Sequence, residues 1–333
     1  MKNEFHALVL NQVNEQTKAE VRNLSMDDLP RQEVLVRVHY SSLNYKDALA
    51  VTGMGKVIRR FPIIPGIDLA GVVVEPGNSS FEVGDQIIST GWGMGEEHWG
   101  GYGQYARLDP SWPILIPDGL DMRSAMVMGT GGLTAAFCSL AIKEHGITPH
   151  DGPVLVSGAG GGVGGVSVML LSQLGYEVHA VSGRKSLNDY LRKIGASQVL
   201  HRNELDRESK PLEKATWAAA IDTVGGDTLA TLLAQTQSYG IIAACGNAGG
   251  MQLNTTVFPF ILRGITLRGI SSVYTPMDIR KRAWELIAEK IPVDFYDLLV
   301  DREISLNEIE GASRELLSGN IRGRVIVNLH ASI

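Results

Sequence analysis

The stretch Val154-Leu155-Val156-Ser157-Gly158-Ala159-Gly160-Gly161-Gly162-Val163-Gly164-Gly165 decides the reading of this chain. Val154 to Ser157 is a short apolar run of the kind found in a strand buried on both faces. Six glycines then fill eight positions, from Gly158 to Gly165. Val166, Val168, Met169, Leu170, Leu171 and Leu174 follow at helical spacing, and Gly175 is a natural stop. The order is strand, glycine turn, helix. A helix N-terminus offers unpaired N–H groups and the positive end of a dipole to a phosphate, and glycine lets the backbone come close. Gly160, Gly162 and Gly165 match the dinucleotide fingerprint G-x-G-x-x-G. A register one residue earlier, through Gly161 and Gly164, fits equally well.

A second strand is expected at Glu177 to Ser182. In an NAD site, an acidic residue about 20 positions past the glycines binds the ribose 2′-hydroxyl. Ser182-Gly183-Arg184-Lys185 stands in that place, with no carboxylate. A carboxylate would repel a 2′-phosphate, whereas a guanidinium binds it bidentately. The expected cofactor is therefore NADPH; the alternative is that Arg184 and Lys185 are only a solvated turn.

Working outward, the 333 residues suffice for about two domains. Residues Phe5–Leu10, Glu33–Tyr40, Leu69–Val74 and Gln86–Ile88 read as short strands punctuated by Gly and Pro, which suggests a barrel-like, mainly-β domain. From about Ser124 the pattern changes. Strand candidates Ser197–Leu200, Ala218–Val224, Ile241–Cys245 and Ile265–Ile270 alternate with helical stretches, as in a doubly wound parallel sheet. Pro276–Ile291 reads as a helix, and Arg324–Leu329 as a late strand that a six-stranded Rossmann sheet does not need. The fold class expected is thus α/β, with residues 126–273 as the Rossmann domain. Residues 1–125 and 274–333 would form a discontinuous catalytic domain.

The net charge of −6 gives no basic field for nucleic acid. The start, Met1-Lys2-Asn3-Glu4-Phe5-His6, lacks the apolar core of a signal peptide. No apolar run is read as long enough to span a membrane. Two cysteines, Cys138 and Cys245, make no disulfide framework and read as small buried hydrophobes. The expected location is the cytoplasm.

Ser42-Leu43-Asn44-Tyr45-Lys46-Asp47, Pro65-Gly66-Ile67-Asp68-Leu69-Ala70-Gly71, Val83-Gly84-Asp85 and Gly161-Gly162-Val163-Gly164 occur in that order. In this the chain resembles the zinc-independent quinone oxidoreductase branch of the medium-chain dehydrogenase/reductase superfamily. Thr90 to Gly101 and Pro259-Phe260-Ile261-Leu262-Arg263 resemble more narrowly its bacterial NADPH-dependent acryloyl-CoA reductase subgroup. The resemblance implies a GroES-like catalytic domain beside a Rossmann domain, a cleft between them, and a homodimer. It places nucleotide contacts at Tyr45, Gly160, Gly161, Gly162, Val163, Ser182, Gly183, Arg184, Arg202, Asn247, Ile261 and Ser272. Arg202 also follows a strand candidate, where a second cation can reach a 2′-phosphate, and Asn247 follows another at the edge where α/β sheets bind ligands.

Zinc-dependent relatives carry an early Cys and a Gly-His-Glu motif. Here the first 125 residues hold no cysteine, and Pro65-Gly66-Ile67-Asp68 replaces that motif, so no metal is expected. Without a metal Lewis acid, the acceptor should be electron-poor: an α,β-unsaturated acyl-CoA, or alternatively a quinone. A nucleotide-binding protein with no turnover is a further alternative. Tyr45 is a candidate proton donor or a wall of the nicotinamide pocket, and Asn44 a candidate to orient the same site. His98 and Trp99 lie in a glycine-rich loop that could close over a site, or pack as core. Lys56, Arg59 and Arg60 put three cations within six residues, a candidate grip for coenzyme A phosphates or a solvated turn.

Overall fold

A computed structural model describes residues 4–331. The chain divides into two compact units, one of residues 1–130 with 300–333 and the other of residues 131–299.

The first unit opens with a hairpin, β1 (Glu4–Val13) and β2 (Gln16–Ser25), joined at Asn14 and Glu15, whose φ angles are 51° and 63°. Its second strand has too polar a pattern to be read from sequence. β3 (Val34–Leu43) leads into helix α1 (Tyr45–Thr52), followed by β4 (Asp68–Glu75), β5 (Gln86–Thr90), β6 (Tyr105–Leu108) and β7 (Ile114–Leu115). Helix α2 (Met122–Glu144) then carries the chain into the second unit. This helix is long and apolar enough to cross a membrane, contrary to the sequence reading, and 89% of its apolar window is buried in the protein. It is also broken at Gly129, where φ is 49° and ψ −154°, a conformation open to glycine.

The second unit is a six-stranded sheet of β8 (Val154–Val156), β9 (Val178–Ser182), β10 (Gln198–His201), β11 (Trp217–Asp222), β12 (Thr236–Ala244) and β13 (Thr266–Gly269). The spatial order is β10-β9-β8-β11-β12-β13, and every pair is parallel. This is the doubly wound order, with its switch point between β8 and β11. Its helices are α3 (Gly162–Gln173), α4 (Asn188–Lys193), α5 (Gly226–Gln235), α6 (Phe258–Arg263), α7 (Met277–Lys290) and α8 (Tyr296–Leu299). Leu155, Val181, Ala220, Leu232 and Ile242 form one of its buried clusters.

The chain returns to the first unit as β14 (Val300–Ile304), α9 (Ile309–Leu317) and β15 (Arg324–Asn328). β15 lies antiparallel to β3, with Val325 opposite Leu43 and Asn328 opposite Tyr40. The sheet order is β14-β15-β3-β4-β5-β7, with β6 also on β3. The structure corrects both expected borders. Residues 126–130 stay with the first unit, because Thr130 is bonded to Asp68 there. Residues 274–299 belong to the second, because α7 buries Ala283, Trp284, Leu286 and Ile287 within that unit. A helix after the last strand carries no periodic mark of which domain it covers.

Candidate active site and dinucleotide cradle

In the second unit the glycine turn lies between β8 and α3, at the carboxyl end of the central strand. The structure resolves its register. A Cβ on Gly164 would lie 2.3 Å from the Gly158 carbonyl oxygen, so Gly164 is where helix and strand turn press together. Gly161 is the helix N-cap, and a Cβ there would meet only Gly158 O, at 3.4 Å. Its outer side is open for a phosphate. The fingerprint is therefore read one residue earlier than the literal match through Gly160, Gly162 and Gly165, with Ala159 in the first glycine's place. Gly158, at φ +58°, makes the turn. Gly162 and Val163 begin α3, so their N–H groups belong to the unpaired first turn.

Arg184 and Arg202 converge beside this turn. A Cβ on Gly160 would lie 3.4 Å from Arg184 Nη2 and 3.7 Å from Ser182 Oγ. A Cβ on Gly183 would collide with Arg202, at 2.7 Å from Cδ and 2.9 Å from Nε. Gly183 thus lets the Arg202 side chain lie flat on the backbone. The buried Ser182 accepts a hydrogen bond from Arg184 N at 3.2 Å, which shapes the loop. Two guanidiniums, a serine hydroxyl and bare backbone at one strand end form a binding set for a phosphate monoester.

At the switch point, Asp222 fastens β11 to β8. It accepts from Ser157 Oγ at 2.6 Å and from Gly225 N at 2.8 Å. Burial raises its carboxyl above the usual range, opposed by these bonds. Asn247 is exposed just beyond β12, past Cys245. Ile261 is 68% exposed on α6, and Ser272 is half-buried, its carbonyl accepting from Arg280. Ile261 belongs to an exposed apolar run with Met251, Val257, Phe258 and Leu262, next to edge strand β13.

In the first unit, Tyr45 is the first residue of α1 and is 48% exposed. Asn44 behind it is buried, and its amide is fully engaged. Its Oδ1 accepts from Arg324 Nη1 at 3.1 Å, while Nδ2 donates to Asp68 Oδ2 at 2.7 Å and Asp47 Oδ2 at 3.1 Å. Asn44 therefore holds Tyr45 in place and has no amide group left over for a substrate. Asp68 also accepts from Ser42 Oγ at 2.6 Å and from Thr130 N at 2.9 Å. Arg324 further donates to Ser42 Oγ at 2.9 Å and to Val127 O at 2.9 Å. Asp47 accepts from Ile67 N and Asn44 N, both at 3.0 Å. Burial, and then the Asp68 charge, push its carboxyl up to about 7. Arg324, buried in turn, has its proton affinity lowered by desolvation and restored in part by Asp68 and Asp47.

The sequence reading missed this network. Asp47 and Asp68 lay inside quoted motifs, but nothing local marks Arg324 as their neighbour. Among the described residues, no group of three or more His, Cys, Asp or Glu has metal-site geometry. Lys56, Arg59 and Arg60 are exposed. Arg60 shares a small pocket with Glu97 and His98, and Lys46 pairs with Glu96 at 2.9 Å, so carboxylates sit among these cations. His98 packs on Trp112, with ring centroids 4.9 Å apart, and Trp99 Nε1 donates to Pro62 O at 3.3 Å.

Sequence comparison agrees with this architecture. The alcohol dehydrogenase GroES-like domain matches residues 30–118, and the zinc-binding dehydrogenase family matches residues 162–289. The chain is 49% identical over 326 residues to probable acrylyl-CoA reductase AcuI of Escherichia coli, covering 98% of this chain and 100% of that protein. The chain belongs to the medium-chain dehydrogenase/reductase family. Within this family it is 45% identical to acrylyl-CoA reductase AcuI of Ruegeria pomeroyi, over 98% of this chain and 100% of that protein. The yhdH oxidoreductase of Salmonella enterica, solved in complex with NADP, superposes with a TM-score of 0.95 at 48% identity, covering 97% and 99% of the two chains.

Proposed function

We propose that this medium-chain dehydrogenase/reductase is an NADPH-dependent, metal-independent acryloyl-CoA reductase. The observation that carries the cofactor is the pair Arg184 and Arg202 laid against Gly160 and Gly183. The substrate rests on full-length similarity to the two AcuI proteins. The residues fit the cofactor. Gly161, Gly162 and Val163 would hold the pyrophosphate on the N-terminus of α3. Ser182, Gly183, Arg184 and Arg202 would hold the 2′-phosphate, with Asn247 and Ser272 further along the ligand. NADPH, when bound, supplies a hydride to the electron-poor β-carbon of the thioester.

The chain's own part in the chemistry is positioning and proton supply. Asn44, fixed by Arg324, Asp68 and Asp47, sets the start of α1 and so the exposed Tyr45. Tyr45 is our candidate for proton donor or nicotinamide wall, with water as the other source of the α-proton. Lys56, Arg59 and Arg60 are our candidates for the coenzyme A phosphates. We also infer a homodimer through β13 and the apolar run at Val257, Phe258, Ile261 and Leu262, and a cytoplasmic location. These exposed residues and an unpaired strand edge favour a second copy as their cover.

The test is NADPH oxidation by metal-free protein with acryloyl-CoA and with quinones. Acryloyl-CoA turnover that survives chelation is the expected result. The changes Arg59→Ala and Arg60→Ala together should raise KM for acryloyl-CoA and leave quinone kinetics alone. Brisk quinone reduction with no acryloyl-CoA turnover would make the protein a quinone oxidoreductase instead.

A further inference from the structure

In the first unit, Arg37, His39 and Tyr40 of β3 line an open hollow of about 430 Å³ together with Asn328 and His330, where β15 ends. The pairing of β3 with β4 shifts register between Val38 and Tyr40, so His39 is the extra residue of a bulge. A bulge bends its strand and re-aims a side chain. The His39 ring meets that of His330, with centroids 4.9 Å apart. His330 is held from two sides: its N donates to Asn328 Oδ1 at 2.9 Å, and its Nε2 lies 3.1 Å from Val38 O. A carbonyl only accepts, so that nitrogen carries the proton and Nδ1 remains for a ligand.

His39 Nε2 is buried and has no hydrogen-bond partner. Leaving such an atom unpaired costs more than an ordinary hydrogen bond returns. Arg37 has no carboxylate partner among the described residues, and the Tyr40 hydroxyl has no hydrogen bond there. Burial first, then His330 and Arg37, hold the His39 imidazole below its ordinary value of 6.5, and no carboxylate opposes them. The neighbouring acids act on Tyr40 instead. Burial, then Glu303, raise its phenol above the ordinary range, with Arg123 opposing and Asp121 adding, so it stays a donor. Glu303 is itself paired with Arg123 at 3.2 Å and accepts from Asn328 Nδ2 at 2.7 Å. Two imidazoles and a guanidinium thus gather without a carboxylate between them, on a chain of net charge −6.

We propose that this hollow is a binding site for the phosphate monoester of a small organic molecule. A dianion offers acceptors to the Arg37 guanidinium, to both imidazoles in their charged form and to the Tyr40 hydroxyl. A bare oxyanion fills only a small part of 430 Å³, and the remainder, beside the Tyr40 ring, suits an organic group. The sign of the pH dependence follows. The anion favours charged imidazoles, so binding raises the proton affinity of His39 and takes up a proton. Affinity is greatest in acid, where both rings are charged, and falls as pH rises until they are neutral with the anion bound as well.

The probes are sulfate, whose charge is constant over this range, inorganic phosphate and phenyl phosphate. Each is titrated into the intact protein carrying carbon-13 histidine, and NMR follows the ring signals of the eight histidines. His39→Asn and His330→Asn assign the two signals of interest. Those two should move together, and the titration midpoint of His39 should rise. A charged donor holds an anion about a decade better than a neutral one, so sulfate should bind roughly tenfold more weakly at about pH 8 than at about pH 5.5. Phenyl phosphate should bind about tenfold more tightly than inorganic phosphate, from burial of its ring. Arg37→Gln, a change at an exposed side chain, should weaken all three probes by about a decade, and it tests the site even if His39→Asn does not fold. His39 and His330 signals that stay still with all three probes would overturn the site, as would unchanged binding in Arg37→Gln. Equal affinity for phenyl phosphate and inorganic phosphate would overturn the organic monoester as its ligand.

Discussion

Gly161 and Gly164 lie three residues apart in one turn, yet replacing each with alanine should damage different properties. At Gly164 the new methyl lies 2.3 Å from Gly158 O and 2.7 Å from Gly158 C, both backbone atoms. Ordinary contact begins at 3.4 Å, so the turn must move by about 1 Å in a close-packed interior. Overpacking costs about 1–3 kcal/mol. Alanine in a helix interior returns about 0.5–1 kcal/mol. Both clashing atoms are backbone, which puts the cost in the upper part of its range and the net loss at about 1–2.5 kcal/mol in the protein without nucleotide. NADPH affinity should fall too, because Gly158 O anchors the turn through Gly161 N at 3.0 Å. At Gly161, φ is −91° and the nearest atom is 3.4 Å away, so alanine fits the empty site. The cost is that of a poorer N-cap, about 0.5–1 kcal/mol. The methyl instead occupies the space through which the pyrophosphate reaches the backbone, and NADPH affinity should fall by one to two decades, about 1.4–2.8 kcal/mol. Thermal unfolding without nucleotide and fluorescence titration with NADPH measure the two effects separately. A Gly164→Ala variant of normal stability, or a Gly161→Ala variant of normal NADPH affinity, would refute this register.

Arg184→Ala should raise KM for NADPH by one to two decades, from loss of a charge-assisted pair of about 1.5–3 kcal/mol, with little change for NADH; equal losses for both cofactors would contradict a 2′-phosphate role. Asp47 binds a proton in the native state at about 7 against an ordinary 3.8, so the folded protein holds the extra proton between those values. Its contribution to stability should therefore decline as pH rises from 4 to 7 and level off above, by about 4 kcal/mol. Urea unfolding across this range should show the decline in the unmodified protein and lose it in Asp47→Asn. Arg324→Met should cost about 3–5 kcal/mol, because it strands Asn44 Oδ1, Val127 O and the buried Asp68 charge; chemical denaturation at pH 7 measures it, and a loss below about 1 kcal/mol would mean that the network relaxes around the gap.

Features that depend only on neighbours along the chain were legible before any fold was known. Val154 to Gly165 declares a strand, a turn without side chains and a helix, because apolar periodicity and glycine sterics act over a few residues. Ser182-Gly183-Arg184 shows the missing carboxylate for the same reason: strand β9 and the positions after it suffice, and the expectation of NADPH rests on them. The order of strands and helices likewise announced a doubly wound sheet.

Other features needed distant segments to meet. The glycine register depends on the Gly158 carbonyl lying over Gly164, which no count of spacings reveals. Arg202 on Gly183 requires β10 to lie beside β9. Arg324 reaches Asn44 across 280 positions only because β15 pairs with β3, and this contact occupies the amide that the sequence offered as a candidate to orient the site. Side-chain chemistry and local period are written in the order of residues, whereas contacts between distant segments exist only once burial has chosen which strands pair.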